Sequence, residues 1–510
     1  MTKKKTKPRA GALIGLDVGT SGARAVALDL AGNVLATATE EYPLSTPRPG
    51  WTEQDAERWW AASRHVLSRV AAELPDPPLG LGLTGQMHGS VFLDSSDRVI
   101  RPALLWSDQR TANQCRAITE KVGAERLVEI TGNPAITGFQ APKILWLREN
   151  EPDAYARVRH VLLPKDYVRL RLTGEFATDA SDASGTLLLD LRRRNWSDEV
   201  LAALEIPRSW LPDVHEGPDV TGRITATAAA GTALPAGLVV AAGGGDNAAS
   251  AVGNGIVRDG LVSSSIGTSG VVFAASATIR IDPAGRLHAF CHAVPGHYHL
   301  MGVTLSAGGS LRWWRDTGAG GKDYEAMSML AAQAPPGSEG LVFLPYLTGE
   351  RTPYLDPEAR GAFIGLNVRH TQAHLTRAVM EGVTYSLKDC LDLMTELGLT
   401  AKEVRATGGG ARSPFWRQLQ ADVFGLPIHR TSAEEGPAFG AALLAGVAAG
   451  AYSDVGAACA VIRMNPDVHT PDPGRNGIYR RYLVAYRDLY AATAPVMHRL
   501  AALGSENPGN

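Results

Sequence analysis

Two copies of one short pattern, half a chain apart, constrain this sequence more than anything else in it. The first is Ala12 to Gly22, ALIGLDVGTSG, where an apolar run delivers Asp17 to a Gly-Thr-Ser-Gly turn. The second is Leu261 to Val271, LVSSSIGTSGV, with the same turn at Gly267 to Gly270 and no acid. A buried strand that runs into glycines lets backbone N–H groups turn inward, and such groups in a row form a concavity for anions. Thr20, Ser21 and Thr268 add hydroxyls. Asp17, an acceptor only when ionised, suits a hydrated Mg²⁺ beside the same phosphates, because that ion keeps most of its waters and needs only a carboxylate or two. Recurrence at this spacing predicts duplicated halves that face each other across a cleft and share one nucleotide.

After the first turn, Ala23 to Leu28 and Val34 to Thr39 read as two further strands joined by a tight turn at Asp29 to Asn33. Trp51 to Asp55 reads as a helix start capped by Thr52, with Trp59, Trp60, Val66, Leu67 and Val70 on the core face. Gly80 to Gly85, GLGLTG, matches a dinucleotide fingerprint by letter, but prolines precede it in place of a strand, and Leu81 and Leu83 form a strand themselves. That strand leads into Gln86, Met87 and His88 between two glycines. Trp106 and Asp108 in WSDQR, and Lys165-Asp166 after the apolar Val161 to Leu163, are each compatible with a salt-bridged strand end. Together they supply the polar and aromatic groups of a carbohydrate site, where hydroxyls need paired donors and acceptors. In Leu238 to Ser250, LVVAAGGGDNAAS, a buried strand ends in three glycines and presents Asp246 and Asn247. An acid held there, within reach of a hydroxyl and facing a phosphate turn, is a candidate general base.

In the second half, His288, His292, His297 and His299 crowd together with Cys291. Alternation over His297 to Leu300 reads as a strand, and no pair has helical i, i+4 spacing beside an acid, so no zinc site is expected. Gly320-Gly321-Lys322 lacks the upstream glycine of a P-loop. Leu375 to Met394 carries a helix stripe at Val379, Val383, Leu387 and Leu391, and Glu403 to Thr407 starts a strand that ends in Gly408, Gly409 and Gly410. Ser413 caps the next helix, with Pro414 first and Phe415, Leu419 and Val423 on its inner face. A triple glycine between strand and helix lets a flat ring and phosphates lie against backbone, which makes it the expected nucleotide floor. A last long helix runs near Tyr479 to Leu503.

Composition narrows the function. The 510 residues accommodate two large α/β domains, 11–255 and 256–505, each big enough for its own core. A formal charge of -2 with 20% charged residues argues against a nucleic-acid surface and for a small-molecule partner. Cys115, Cys291, Cys390 and Cys459 form no CxxC pair, which suits a reducing cytoplasm. The longest uncharged run, Gly436 to Tyr452, is too short to span a bilayer and reads as a packed helix. The basic start through Lys3, Lys4, Lys5, Lys7 and Arg9 reads as a disordered tail without a signal peptide behind it.

From Ala12 to about Leu500 the sequence resembles the FGGY carbohydrate kinase family. The resemblance is carried by IGLDVGTSG, WTEQD, GQMHG, LWSDQR, TGNPAITGFQAPKILWL, LLPKDYVRLRLTGE, GGGDNAASAVG, SIGTSGV, FLPYLTGERTP and ATGGGARSPFWRQLQAD. It implies an α/β fold of two duplicated actin-like (RNase H-like) ATPase domains flanking a nucleotide and sugar cleft, and phosphorylation of D-xylulose on its 5-hydroxyl with Mg²⁺-ATP. It makes Asp246 the base, puts Met87 and His88 on the sugar, and lays Gly408 to Gly410 near the adenosine. The expected substrate set is Gln86, Met87, His88, Trp106, Asp108, Asp246 and Asn247. Thr20, Ser21, Gly267, Thr268, Gly408, Gly409 and Gly410 form the nucleotide set, and Asp17 is the metal ligand. The expected partners are a small sugar and ATP, with neither nucleic acid nor membrane, and a homodimer is an open assembly. A related ketose or polyol is the alternative acceptor. An actin-like ATPase driving a protein partner is the reading from another class, and it has no use for GQMHG or GGGDN.

Overall fold

In the computed structural model, which describes residues 11–432 and 436–505, the opening apolar run is β1 (Ala12–Val18), the centre of a six-stranded sheet. β2 (Gly22–Asp29) and β3 (Val34–Glu41) follow as an antiparallel meander, with Asp29 closing the turn through its carboxylate and the N–H of Asn33 at 2.8 Å. Helix α1 (Ala56–Glu73) crosses to β4 (Gly80–Gly85), which pairs parallel with β1. The part of the chain after β4 includes α2 (Gln140–Asn150) and α3 (Pro164–Thr173), and it returns to the sheet as β5 (Val220–Arg223) and β6 (Val239–Gly245). The sheet order is β5-β6-β4-β1-β2-β3. Helix α4 (Asp246–Gly253) follows directly from β6.

The second half repeats the scheme. Its strands are β7 (Leu261–Ile266), β8 (Gly270–Ser276), β9 (His288–Cys291) and β10 (Tyr298–Thr304), followed by α5 (Gly308–Thr317) and the long α6 (Gln372–Glu396). Then come β11 (Glu403–Thr407), α7 (Pro414–Phe424), β12 (Ile428–His429), α8 (Gly436–Ala448) and α9 (Pro473–Ser505). The order β9-β10-β8-β7-β11-β12 places β7, β8, β10, β11 and β12 where β1, β2, β3, β4 and β6 stand in the first sheet. Each half therefore carries an antiparallel meander on one side of its Gly-Thr-Ser strand and parallel strands on the other.

Helices α4 and α8 occupy equivalent places, each after the last parallel strand of its half, and they pack on each other. Glycines make the approach possible. A Cβ on Gly440 would lie 1.8 Å from the Ala249 carbonyl, one on Gly15 1.8 Å from that of Ala438, and one on Gly82 1.9 Å from that of Ala441. The second half thus rests α8 directly on β1 and β4 of the first, and any side chain at these points would force the two halves apart.

Three expectations need correction. Thr52 does not cap α1, because Glu53 and Gln54 are drawn into a short strand against Ala103–Leu104, and Asp55 instead accepts from the N–H of Glu57 at 3.0 Å. In α7 the fully buried aromatic is Trp416, with Phe415 only half-buried, although Ser413 and Pro414 start the helix as expected. Helix α9 begins at Pro473, a turn and a half before Tyr479. The basic start, Lys3 to Arg9, lies outside the described residues. All four cysteines are unpaired, and Cys115, Cys291 and Cys390 are buried.

Candidate active site

β1 ends by presenting Asp17 between Thr84 of β4 and Arg24 of β2. The turn that follows has its carbonyls tied outward. Tyr42 and Gln86 donate to the Gly19 carbonyl at 2.6 and 3.3 Å, and Gln54 donates to that of Thr20 at 2.7 Å. The N–H groups of Thr20 and Ser21 meet no acceptor among the described residues, which is what an anion-binding turn requires. Trp106, half exposed, donates its indole N–H to the Thr20 hydroxyl at 2.9 Å. Gln86 is 1% exposed and serves this turn by bonding Gly19 and Gln54, so its amide does not face the cleft.

Asp246 is the first residue of α4. A bulge in β6 sets its direction: Gly243 has φ 81°, a Cβ there would sit 1.7 Å from the Leu83 carbonyl, and the pairing with β4 slips between Ala241 and Gly244. Asn247 donates both its backbone N–H and its side-chain amide to Asp246 Oδ1, at 2.7 and 2.9 Å. Burial pushes Asp246 up to about 6, against these two bonds. Asp17 goes further, to about 7, through burial and then the charge of Asp246, with Arg24 opposing. Asp246 therefore ionises first and Asp17 ionises against its field. Oδ1 of Asp17 is buried without a hydrogen-bond partner, an arrangement that favours a cation between the two acids.

Met87, 4% exposed, packs between two glycines, one of them Gly245 beside Asp246; a Cβ on Gly245 would lie 3.0 Å from the Met87 sulfur. The other is Gly185, which also lies against His88. His88 adopts φ 68°, held by Lys143, whose ammonium donates to the His88 carbonyl at 2.8 Å. Its Nδ1 lies 2.6 Å from the Gly185 carbonyl, so Nδ1 carries the hydrogen and Nε2 is a bare acceptor. Burial drives its pKa down to about 3, which keeps the ring neutral. Phe139 packs 4.8 Å from it, centroid to centroid.

Two sequence candidates lie elsewhere. Asp108 is fully buried, chelates Arg110 at 2.7–3.0 Å and accepts the Thr52 N–H at 2.7 Å, which leaves no oxygen for a sugar. Lys165 and Asp166 are buried behind the site, where the ammonium meets Asp166, Asp179 and Asp182 at 2.6, 2.8 and 3.2 Å. From this cluster Ser181 reaches forward to accept the Gly245 N–H at 3.1 Å, so its role is support for the strand end that carries Asp246.

The second half supplies a cavity of about 600 Å³ lined by Gly267, Thr268, Gly308, Gly309, Gly409 and Gly410, among others. The N–H groups of Ala307 and Gly309 both donate to the Thr268 carbonyl at 2.9 Å, so the first turn of α5 clasps the second Gly-Thr-Ser loop. Gly408, with φ 74°, faces a neighbouring cavity of about 350 Å³ beside Ser250 and Asn254 of the α4 end. Gly308 and Gly309 were not among the expected residues, although paired glycines opening a helix are a signal for an anion or nucleotide. Arg312 and Tyr324, also in the lining, have no local signal. Three of the clustered histidines pack as buried rings whose burial favours the neutral form: His288 bonds Asn133 at 2.7 Å, His292 bonds the Ile256 carbonyl at 2.9 Å, and His299 stacks on Phe273.

Two halves of one topology, each with its Gly-Thr-Ser turn and packed on each other through α4 and α8, define the actin-like fold of ATP-using phosphotransferases. Residues 12–253 match the N-terminal domain of the FGGY family of carbohydrate kinases and residues 262–449 match its C-terminal domain. The chain belongs to that family and is a carbohydrate kinase. It is 44% identical over 487 residues to the xylulose kinase of Klebsiella pneumoniae, covering 95% of this chain and 99% of that one. With the xylulose kinase of Lactococcus lactis subsp. lactis it shares 40% over 499 residues, 97% of this chain and 99% of the other. The crystal structure of a xyloylose kinase from Brucella ovis superposes with a TM-score of 0.90 at 39% identity, covering 95% of this chain and all of that one. Among the described residues no helix is long and apolar enough to cross a membrane.

Proposed function

We propose that this protein transfers the γ-phosphoryl group of Mg²⁺-ATP to the 5-hydroxyl of D-xylulose. The likeness to relatives named xylulose kinase, at 40–44% identity over nearly the whole chain, is the observation that carries the reading. At neutral pH Asp246 is mostly ionised, since its pKa lies at about 6. It orients the acceptor hydroxyl and takes its proton while the hydroxyl oxygen bonds to phosphorus and the bond to the ADP oxygen breaks. Asn247 fixes the carboxylate by its two hydrogen bonds.

Thr20 and Ser21 from one half and Thr268 from the other surround the phosphates, and the glycines at 408–410 support the adenosine. The unpartnered Asp17 oxygen and the nearby Asp246 charge fit a divalent ion; bound through water at Asp17, Mg²⁺ would neutralise phosphate charge. Phosphoryl transfer is mostly positioning and charge stabilisation, so the halves act chiefly by aligning donor and acceptor and excluding water. At the sugar end, a neutral thioether and a neutral imidazole leave room for a ketose longer than a triol, with His88 Nε2 accepting from a hydroxyl. A cytoplasmic location suits the four unpaired cysteines. A phosphorylation assay across pentuloses and polyols tests the reading: D-xylulose should show the highest kcat/KM, and a different preferred acceptor would reassign the substrate within the family.

A further inference from the structure

Several buried arginines of the two halves are held by partners. Arg110 is held by Asp108 and Glu53, Arg194 by Glu216, and Arg169 by Asp166 and backbone carbonyls. Arg351, in the loop before Thr352 in the second half, is different. Its guanidinium makes no hydrogen bond or ion pair with any described residue, while its backbone N–H donates to Glu350 Oε1 at 2.8 Å. The side chain is nevertheless partly buried, and burial holds its pKa below the ordinary arginine value, with Glu350 opposing. The loop reaches the sugar end of the cleft by contact: Thr352 bonds Arg286, two residues before His288, whose ring lies 5.9 Å from that of Phe139, itself 4.8 Å from His88, and the positive charge of Arg351 acts on both histidines.

The loop that carries it is fixed. Glu350 accepts the Thr304 hydroxyl at 2.6 Å and the Leu305 N–H at 2.9 Å. Thr352 donates its N–H to the Val303 carbonyl at 3.0 Å and its hydroxyl to that of Arg286 at 2.8 Å. A guanidinium carried by a loop held this firmly and left without a partner is available as a donor. His88, which that charge reaches, offers Nε2 as an acceptor with no hydrogen. Met87 packs beside Asp246 through Gly245, and His88 lies beyond it on Gly185, so the acceptor sits toward the end of the sugar away from the reacting hydroxyl.

We propose that Arg351 recognises the carbonyl oxygen of an open-chain 2-ketose while His88 accepts from the adjacent hydroxyl, which makes the cleft selective for ketoses over the polyols that differ only in that carbonyl. This rests on the D-xylulose reading above and adds to it a specificity residue from the other half, so the sugar is gripped only when the halves meet. A hydrogen bond to a charged donor is worth about 10- to 150-fold in binding.

The test compares wild type with Arg351→Met and Arg351→Lys. Measured are kcat and KM for D-xylulose at saturating ATP, KM for ATP, and the inhibition constants of xylitol and D-arabitol, the two pentitols formed by reducing the carbonyl. The expected result for Arg351→Met is a KM for D-xylulose raised about 10- to 100-fold, with kcat and the ATP KM within about threefold and the pentitol constants little changed. Arg351→Lys should recover part of the loss. An unchanged KM, a parallel rise in the pentitol constants, or a fall in kcat alone would overturn the assignment, the last by placing Arg351 at the phosphoryl group. If Arg351→Met does not fold, the same comparison on Arg351→Lys decides. Wild-type protein inactive on D-xylulose would instead sink the function reading.

Discussion

Replacing Asp246 by asparagine should slow turnover at least about a hundredfold and, at the same time, make the protein more stable. Burial pushes the carboxyl from its ordinary 3.8 to about 6, so the folded protein binds that proton more tightly than the unfolded chain. Stability is then lost as pH rises from about 4 through about 6, and the loss persists above that range. At about 1.4 kcal/mol per pH unit the displacement amounts to about 3 kcal/mol at most, and contact with cleft water lowers this to about 1–2 kcal/mol. Asparagine keeps an oxygen for the Asn247 N–H and removes the charge that Asp17 opposes. For a domain of roughly 240 residues, 1 kcal/mol corresponds to about 2–4 °C. Paired melting curves without Mg²⁺ should therefore show the variant higher by about 2–8 °C at pH 8 and no different near pH 4. Adding Mg²⁺ should narrow the gap at pH 8, because an ion bound as proposed would stabilise the wild-type acid pair. Near-normal kcat in the variant would remove Asp246 as the base. Equal melting at pH 8 would refute the claim that its charge is held at a cost.

Asp17→Ala should lose activity if Asp17 holds the metal as proposed, with raised Mg²⁺ restoring a small part at most; wild-type rates at ordinary Mg²⁺ would make the opening strand structural only. Wild-type protein should prefer D-xylulose over glycerol by at least about a thousandfold in kcat/KM, and His88→Ala should erode most of that ratio in the same steady-state assay. Gly82→Ala, whose methyl would meet the Ala441 carbonyl at 1.9 Å, should cost about 1–3 kcal/mol in chemical denaturation; an unchanged midpoint would show that α8 yields at that contact.

The parts of the fold that were legible in the sequence are those whose signals are local. The strand and turn at Leu13–Gly22 recurs at Leu261–Gly270 because each half builds the same strand pair, and the apolar strand, the glycines and the hydroxyls all lie within a dozen residues. Ser413 with Pro414 marked a helix start for the same reason. Thr52 misled because the residues after it pair with Ala103–Leu104, a contact no local pattern announces. Asp108 misled in the same way: alternating acid and arginine resembles a sugar site, but Arg110 folds back and consumes the carboxylate. Gln86 was expected to meet the sugar, and only the assembled sheet shows that Gly19 and Gln54 claim its amide. Arg351 had no signal at all beyond its place in GERTP, because its meaning lies in the partner it lacks.

The most direct test of the account is the release of ADP with and without D-xylulose, followed together with the position of the phosphate on the product. Tight dependence on the ketopentose, with one 5-phosphate formed for each ADP released, is the predicted result. ADP release at the same rate without sugar would contradict it, and would leave the acid pair serving hydrolysis in place of transfer.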